Sequence, residues 1–243
     1  MKERFSRTAS LIGEAGVEAL AGSRVLIVGV GGVGGYTTEA LARAGVGTLG
    51  LVDSDRISES NINRQIIADY TTVGEYKTEA FRDRISKINP DCRVICHSLF
   101  LNEDNIDSID LGAYDYVVDA CDTVSTKVAL CIECDKKGVR LISSMGAGNK
   151  MDPTAFMVSD IYKTSVCPLA RAMRVRLKKL GIKKLKVVYS KEEPFVTTPP
   201  EQTEPKDGTA EKRRPPASIS FVPSAAGLII ASEVVKDLIS EAK

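Results

Sequence analysis

Short aliphatic runs alternate with amphipathic stretches along most of this chain. Arg24-Val25-Leu26-Ile27-Val28-Gly29 is continuously apolar and β-branched until it meets a glycine cluster, and 33–44 follows with Leu41 and small alanines at helical spacing. That order predicts a strand, a tight turn and a helix. Further strands are expected at 48–52, ending on Asp53, and at 93–98, 116–119 and 140–143, with helices over 77–88 and 124–137 between them. Apolar runs separated by helices imply a parallel sheet covered on both faces, and such sheets bind ligands outside the carboxyl ends of their strands.

The pattern shortens after Asp152-Pro153, where a strand at 155–158, a basic helix at 168–180 and a strand at 185–189 are expected to extend the sheet in antiparallel fashion. The segment 192–216 holds Pro194, Pro199, Pro200, Pro205, Pro215 and Pro216 among charged and polar residues. Too few apolar groups are present there to offset the entropy of ordering, so a mobile crossover loop is expected. A last strand at 218–222 and an apolar helix at 224–239 return the chain to the core. The expected fold class is α/β: a Rossmann-like, mostly parallel sheet with helices on both faces and an antiparallel C-terminal extension. One domain is expected over 1–243, with a nucleotide-binding half at 1–152 and a half for substrate and dimer contacts at 153–243.

Composition agrees with one sizeable core, since 243 residues with 43% hydrophobic content can bury a large interior. Charge changes the picture more. The 33 basic and 32 acidic side chains leave a formal net charge of +1, so any attraction to nucleic acid has to come from a local patch. The charged start Met1-Lys2-Glu3-Arg4-Phe5-Ser6-Arg7 leads into no apolar targeting segment, and no run reaches the roughly 18 apolar residues of a membrane span. A cytoplasmic protein with no membrane partner is expected. The six cysteines, at 92, 96, 121, 131, 134 and 167, fall mostly inside expected strands and helices, which favours reduced thiols.

The chemistry begins at Gly29-Val30-Gly31-Gly32-Val33-Gly34-Gly35. Its Gly29-x-Gly31-x-x-Gly34 spacing is the dinucleotide fingerprint: glycines permit the turn and the close approach of phosphate, and the helix that starts near Gly32 aims free N–H groups at anionic oxygens. Asp53 stands at the end of the second strand, where a carboxylate accepts hydrogen bonds from ribose hydroxyls. These residues alone fit ATP and NAD equally, so an NAD-linked oxidoreductase stays open at this point.

The next segment separates the two. The glycine turn, Asp53-Ser54-Asp55, Ser60-Asn61-Ile62-Asn63-Arg64-Gln65, Lys77 and Asp119-Ala120-Cys121-Asp122 resemble, as an ordered set, the adenylating domain shared by ubiquitin-activating and sulfur-carrier-activating enzymes. The resemblance implies an ATP pocket in which Arg64 and Lys77 hold the triphosphate and Asn61 and Asn63 line the same space with Gly29, Gly31, Gly32, Gly34, Asp53 and Asp55. Fixed cations for a tetra-anionic ligand make chemical sense. It also implies that Asp122 holds Mg2+, for which a carboxylate and phosphate oxygens are the usual ligands. A helix N-cap before Val124 is the structural reading of Asp122, and the two are compatible. Arg7 resembles an N-terminal arginine that reaches the phosphates of a neighbouring protomer, implying a homodimer, and it reads equally as an exposed helix-start residue.

Two absences narrow the family further. Ubiquitin-type activation needs a cysteine nucleophile, and 192–216 contains none. Sulfur-carrier-activating relatives usually carry two Cys-x-x-Cys pairs around zinc, whereas this chain has only Cys131-Ile132-Glu133-Cys134, read as two buried thiols on a helix. The stretch 146–154, then Pro168-Leu169-Ala170 and the basic helix, resemble the tRNA threonylcarbamoyladenosine dehydratases over nearly the whole chain. That resemblance implies ATP-dependent cyclisation of threonylcarbamoyladenosine beside the anticodon through a carboxyl-adenylate, with no protein nucleophile because the attacking atom is tethered. A monovalent cation in the 146–154 turn and a sulfur-transfer partner are further implications. Cys167 departs from the group, in which an acidic residue is expected before the Pro-Leu-Ala run.

Arg171, Arg174, Arg176, Lys178, Lys179, Lys183, Lys184 and Lys186 crowd one segment, with Arg171, Arg174 and Lys178 on one helix face. A tRNA backbone fits there, and so does a plain solvated basic face. His97, the single histidine, reads as a strand-face residue. Two other functions share the core: adenylation of the C-terminal glycine of a ubiquitin-like sulfur carrier, and a noncatalytic nucleotide-binding scaffold.

Overall fold

The computed structural model describes residues 2–196 and 216–240. Seven strands form one sheet: β1 (Arg24–Val28), β2 (Thr48–Val52), β3 (Arg93–His97), β4 (Tyr116–Asp119), β5 (Arg140–Ser144), β6 (Phe156–Asp160) and β7 (Lys186–Ser190). Their order is β3-β2-β1-β4-β5-β7-β6. Every neighbouring pair is parallel except β6 with β7. The antiparallel extension expected from sequence is therefore one edge strand, because β7 runs parallel to β5.

The six longer helices are α1 (Ser6–Gly22), α2 (Gly34–Ala44), α3 (Lys77–Ile88), α4 (Val124–Lys137), α5 (Pro168–Lys179) and α6 (Phe221–Ile239). Strand side chains alternate between the two faces, so Val25, Ile27, Leu49, Leu51 and Val118 meet Leu41, Phe81, Ile85 and Ile230 from α2, α3 and α6. Leu26, Val28 and Val117 meet Leu130 of α4 on the opposite face, and Val187 and Tyr189 meet Met173 and Leu177 of α5 beside it. Helix α6 lies close along α2. A β-carbon on Gly227 would stand 2.3 Å from the Val33 carbonyl oxygen, and the Thr37 hydroxyl donates to the Gly227 carbonyl at 2.9 Å.

Two parts of the pattern were misread. The expected strand at 218–222 is absent, and Phe221 opens α6 instead. Ser218 to Phe221 alternates polar and apolar, but the buried Val222, Ala226, Ile230, Val234 and Leu238 recur at helical spacing, and Pro223 sits in the first turn, where no N–H partner is required. Helix α1 had no clear sequence signal because Gly13, Gly16 and Gly22 interrupt it. Gly13, at φ 78° and ψ 166°, breaks the helical path, so 6–12 and 14–22 are two segments. Of the crossover segment, 197–215 lies outside the described residues.

Candidate functional site

The strand order reverses between β1 and β4: β2 and β3 follow β1 to one side, while β5 lies on the other side of β4. A crevice opens outside the carboxyl ends at such a switch point, and here the glycine turn after β1 and the Asp119–Asp122 turn after β4 flank it. Gly29 adopts φ +85°, and its N–H donates to the Val52 carbonyl at 2.8 Å. A β-carbon there would meet the Ala120 carbonyl oxygen at 2.8 Å, and one on Gly34 would lie 1.9 Å from the Gly29 carbonyl oxygen. Only glycine permits this packing of turn against helix and strand end. The Gly35 N–H donates to the Gly31 carbonyl at 2.8 Å, so the helical path starts within the turn.

Asp53, at the end of β2, braces that turn. Its Oδ2 accepts the Val30 N–H at 2.9 Å, and its Oδ1 accepts the Asp55 N–H at 2.9 Å. Lys77, the first residue of α3, is 5% exposed, with Nζ 2.7 Å from Asp55 Oδ2 and 3.6 Å from Asp53 Oδ1. Arg64 lies beside the glycines, its Cγ 3.6 Å from where a β-carbon of Gly32 would be. Its guanidinium donates to the Ser60 carbonyl and to Asn63 Oδ1, both at 2.9 Å. Asn63 Nδ2 donates to the Ser218 carbonyl at 3.0 Å, and Asn61 Oδ1 accepts the Ser58 N–H at 3.1 Å, completing a capping box.

Across the crevice, Asp119 is fully buried at the end of β4, and Asp122 is exposed. Thr123, not Asp122, occupies the N-cap position of α4, so the capping role is removed. Among the described residues the Asp122 carboxylate is held only by the Thr123 hydroxyl, 3.3 Å away, and keeps oxygen lone pairs that could serve a hard cation.

The family model described as "ThiF family" matches residues 5–243. The tRNA threonylcarbamoyladenosine dehydratase of Bacillus subtilis (strain 168) is 44% identical over 99% of this chain and 96% of its own length. That of Escherichia coli (strain K12) is 42% identical over 73% of this chain and 66% of its own length. The chain belongs to the ThiF family. The 44% identity over nearly the whole of both chains places it among the tRNA threonylcarbamoyladenosine dehydratases. The crystal structure of the E. coli enzyme in complex with ATP superposes with a TM-score of 0.86 at 34% identity, covering 99% of this chain and 95% of that one; its AMP complex gives the same score.

Within this ThiF chain the structure brings together Gly29, Gly31, Gly32, Gly34, Asp53, Asp55, Arg64 and Lys77. Arg7 stands apart: it is the second residue of α1, exposed, and makes no hydrogen bond or ion pair among the described residues. Sequence reasoning quoted Gln65 but gave it no role. The residue is 6% exposed, with Nε2 3.7 Å from where a β-carbon of Gly31 would be, and Oε1 is buried without a partner among the described residues. Such an orphan next to the glycine turn fits a donor on a ligand. Lys127 was also passed over, as a helix residue with no motif around it.

The remaining candidates lie outside this group. Cys131 and Cys134 are buried under α4, where burial pushes the Cys134 thiol up to about 12, and no group of metal-holding side chains occurs among the described residues. Cys167 is buried at the N-cap position of α5. His97 closes β3 with Nε2 buried and unpartnered, and burial lowers its pKa. In the 146–154 turn, the buried Lys150 ammonium donates to the Glu192 carbonyl, and Asn149, at φ +57°, is bonded to both Phe195 and Ala217. A cavity of about 690 Å3 lined by Tyr116, Cys131, Cys134, Arg140, Lys184 and Asp237 opens at the amino ends of the strands, away from the glycine turn.

The basic segment is smaller than its sequence suggested. Arg174 is tied to the Thr164 carbonyl at 3.1 Å, and Lys186 is paired with Glu233 at 2.8 Å and Asp237 at 2.9 Å. Arg171, Arg176, Lys178, Lys179, Lys183 and Lys184 are exposed and form no ion pair among the described residues. No helix among the described residues is long and apolar enough to cross a membrane.

Proposed function

We propose that this chain adenylates the threonine carboxylate of threonylcarbamoyladenosine beside a tRNA anticodon and so drives its dehydration to the cyclic form. The observation that carries the reading is the convergence of Lys77, Arg64 and the Gly29–Gly34 contact on the β1/β4 crevice, in a chain similar over its length to a dehydratase whose structure holds ATP. The glycine turn admits phosphate to backbone N–H groups, Asp53 retains lone pairs for ribose hydroxyls, and Lys77 and Arg64 supply fixed positive charge. A carboxylate oxygen attacks the α-phosphorus and pyrophosphate leaves. A carbamoyl nitrogen or oxygen of the same nucleoside then attacks the acyl carbon and AMP leaves, so water is lost overall without a protein nucleophile.

Asp122 would hold Mg2+ against the phosphates, where the ion neutralises charge building on the departing oxygens. A monovalent cation in the 146–154 turn would have to share it with the Lys150 ammonium. The six exposed basic residues around α5 are read as the tRNA backbone contact, and 1–243 as one domain whose halves serve nucleotide and substrate, in a cytoplasmic enzyme. Residues 6–12, ahead of the Gly13 break, carry the unpaired Arg7 and Leu11, which is 86% exposed. This supports a homodimer in which Arg7 reaches the partner's phosphates. Activity recovered on mixing Arg7→Ala with Lys77→Ala protein would be the signature of such exchange.

The test of the whole reading is purified protein with ATP, Mg2+ and tRNA bearing threonylcarbamoyladenosine, followed by nucleoside mass spectrometry. One AMP and one pyrophosphate per cyclic nucleoside are expected. Unchanged nucleoside in the presence of bound ATP would exclude the reaction.

A further inference from the structure

Lys127, a large charged side chain beside the 119–122 turn, is wholly inaccessible to solvent. It projects from the first turn of α4, and its Nζ donates to Asp119 Oδ1 and Oδ2, both at 3.0 Å, to the Ser144 carbonyl at 2.8 Å, and approaches Ser143 Oγ at 3.4 Å. The Ser143 hydroxyl in turn donates to Asp119 Oδ2. Asp119 Oδ1 accepts the Cys121 N–H at 3.3 Å, and the Ala120 N–H donates to the Val28 carbonyl at 2.8 Å. One ammonium thus joins α4, the end of β4 and the end of β5, and the carboxylate it holds shapes the turn that leads to Asp122.

We propose that Lys127 is a positioning residue for Asp122: through Asp119 it fixes the 119–122 turn where Asp122 can serve a Mg2+-bound triphosphate. The proposal rests on the nucleotide reading given above. Burial alone would strip the charge from Lys127, but the Asp119 carboxylate outweighs it and holds the pKa above the ordinary lysine value. Removing two ions from water costs several kcal/mol each, and an apolar pair of equal volume is often as stable or more so. What an apolar pair lacks is direction. The bonds from Lys127 to two strand ends leave the 119–122 turn one arrangement, and the wall of that turn already touches Gly29 and Gly34 through Ala120. A shift at the 121–122 end of the turn would move Asp122 relative to the phosphates, while Ala120, held by its N–H bond to the Val28 carbonyl, keeps its place against the glycine cradle.

Calorimetric titration with a non-hydrolysable ATP analogue, with Mg2+ and with EDTA, separates these effects in wild type, Asp122→Asn, Lys127→Met and Ser143→Ala. Wild type is expected to bind more tightly with Mg2+, and Asp122→Asn to lose that gain. Lys127→Met should lose about tenfold or more of it, the usual scale for residues that orient a metal ligand, with metal-free affinity within about twofold. No Mg2+ gain in wild type, or a full gain in Asp122→Asn, would overturn the reading of Asp122 and the proposal with it. A full gain in Lys127→Met, with Asp122→Asn deficient, would overturn the proposal alone. If Lys127→Met does not fold, Ser143→Ala decides: a partial loss of about threefold supports the proposal, and wild-type Mg2+ dependence overturns it.

Discussion

Gly34 stands so close to Gly29 that a β-carbon at position 34 would lie 1.9 Å from the Gly29 carbonyl oxygen. The atom it would meet is backbone, held by a bond from the Gly29 N–H to β2, so no side-chain rearrangement relieves the clash. Gly34→Ala is expected to cost at least ~3 kcal/mol, seen as a melting temperature lower by roughly 6–12 °C, together with loss of ATP binding. A variant that melts like wild type and binds ATP would show that the turn yields.

Asp55 is 64% exposed at its side chain and holds the buried Lys77 ammonium at 2.7 Å. A nucleotide has to draw Lys77 away from this partner. Asp55→Asn should therefore tighten ATP binding by up to about fivefold, the scale of one partly exposed ion pair, whereas Lys77→Met should slow ATP–pyrophosphate exchange by about 100-fold or more. Equal weakening of ATP binding in both would place Asp55 on the ligand instead.

Gln65 leaves a buried acceptor unpaired, a state that costs about 1–3 kcal/mol. Gln65→Leu is expected to melt at or above the wild-type temperature while KM for ATP rises about tenfold. Thermal melts and initial rates on one preparation check both halves.

Lys178 and Lys183 are exposed and unpaired, whereas Lys186 is locked to Glu233 and Asp237. Changing Lys178 and Lys183 to Ala should reduce the slope of log binding constant against log salt for tRNA by about 1–2. Lys186→Ala should instead lower the melting temperature and leave the slope alone.

The His97 imidazole is held below its ordinary pKa by burial. The unfolded chain therefore takes up the proton first, so the stability is complete above about pH 6.5 and declines as pH falls through that value toward the folded pKa. His97→Gln should flatten the fall of denaturant midpoints as pH drops below about 6.5. Glu39, Glu233 and Asp237, whose pKa values are lowered by nearby cations despite burial, add stability that is full above the usual carboxylate range and is lost as pH falls through that range toward their folded values.

Periodicity located β1, β2, β4, α3 and α4 because each is a local pattern whose length and register follow from its own residues. It failed at 218–222, where a short alternation overlaps a helical repeat that continues far beyond it, and at α1, where three glycines hide two helical segments. The structure brings the glycine turn, Asp53, Arg64 and Lys77 to one place, a grouping the sequence allowed because each follows a strand end or opens the next helix. Charge appears in sequence, but Arg174 is tied to the neutral Thr164 just ahead of α5, and the carboxylates that neutralise Lys186 come from α6, distant along the chain.

The sequence by itself determined a mostly parallel sheet, the glycine turn after β1 and the spacing of Asp53, Arg64, Lys77 and Asp122 along the chain. The tertiary structure decided which of those groups share a crevice, that Thr123 and not Asp122 caps α4, that Gln65 carries an unpaired oxygen beside the glycines, and that Lys127 joins β4 to β5. The physical reason is range. Periodicity and turn chemistry act between near neighbours in the chain, whereas burial, pairing and orphaned polar atoms are set by the residues that folding brings alongside.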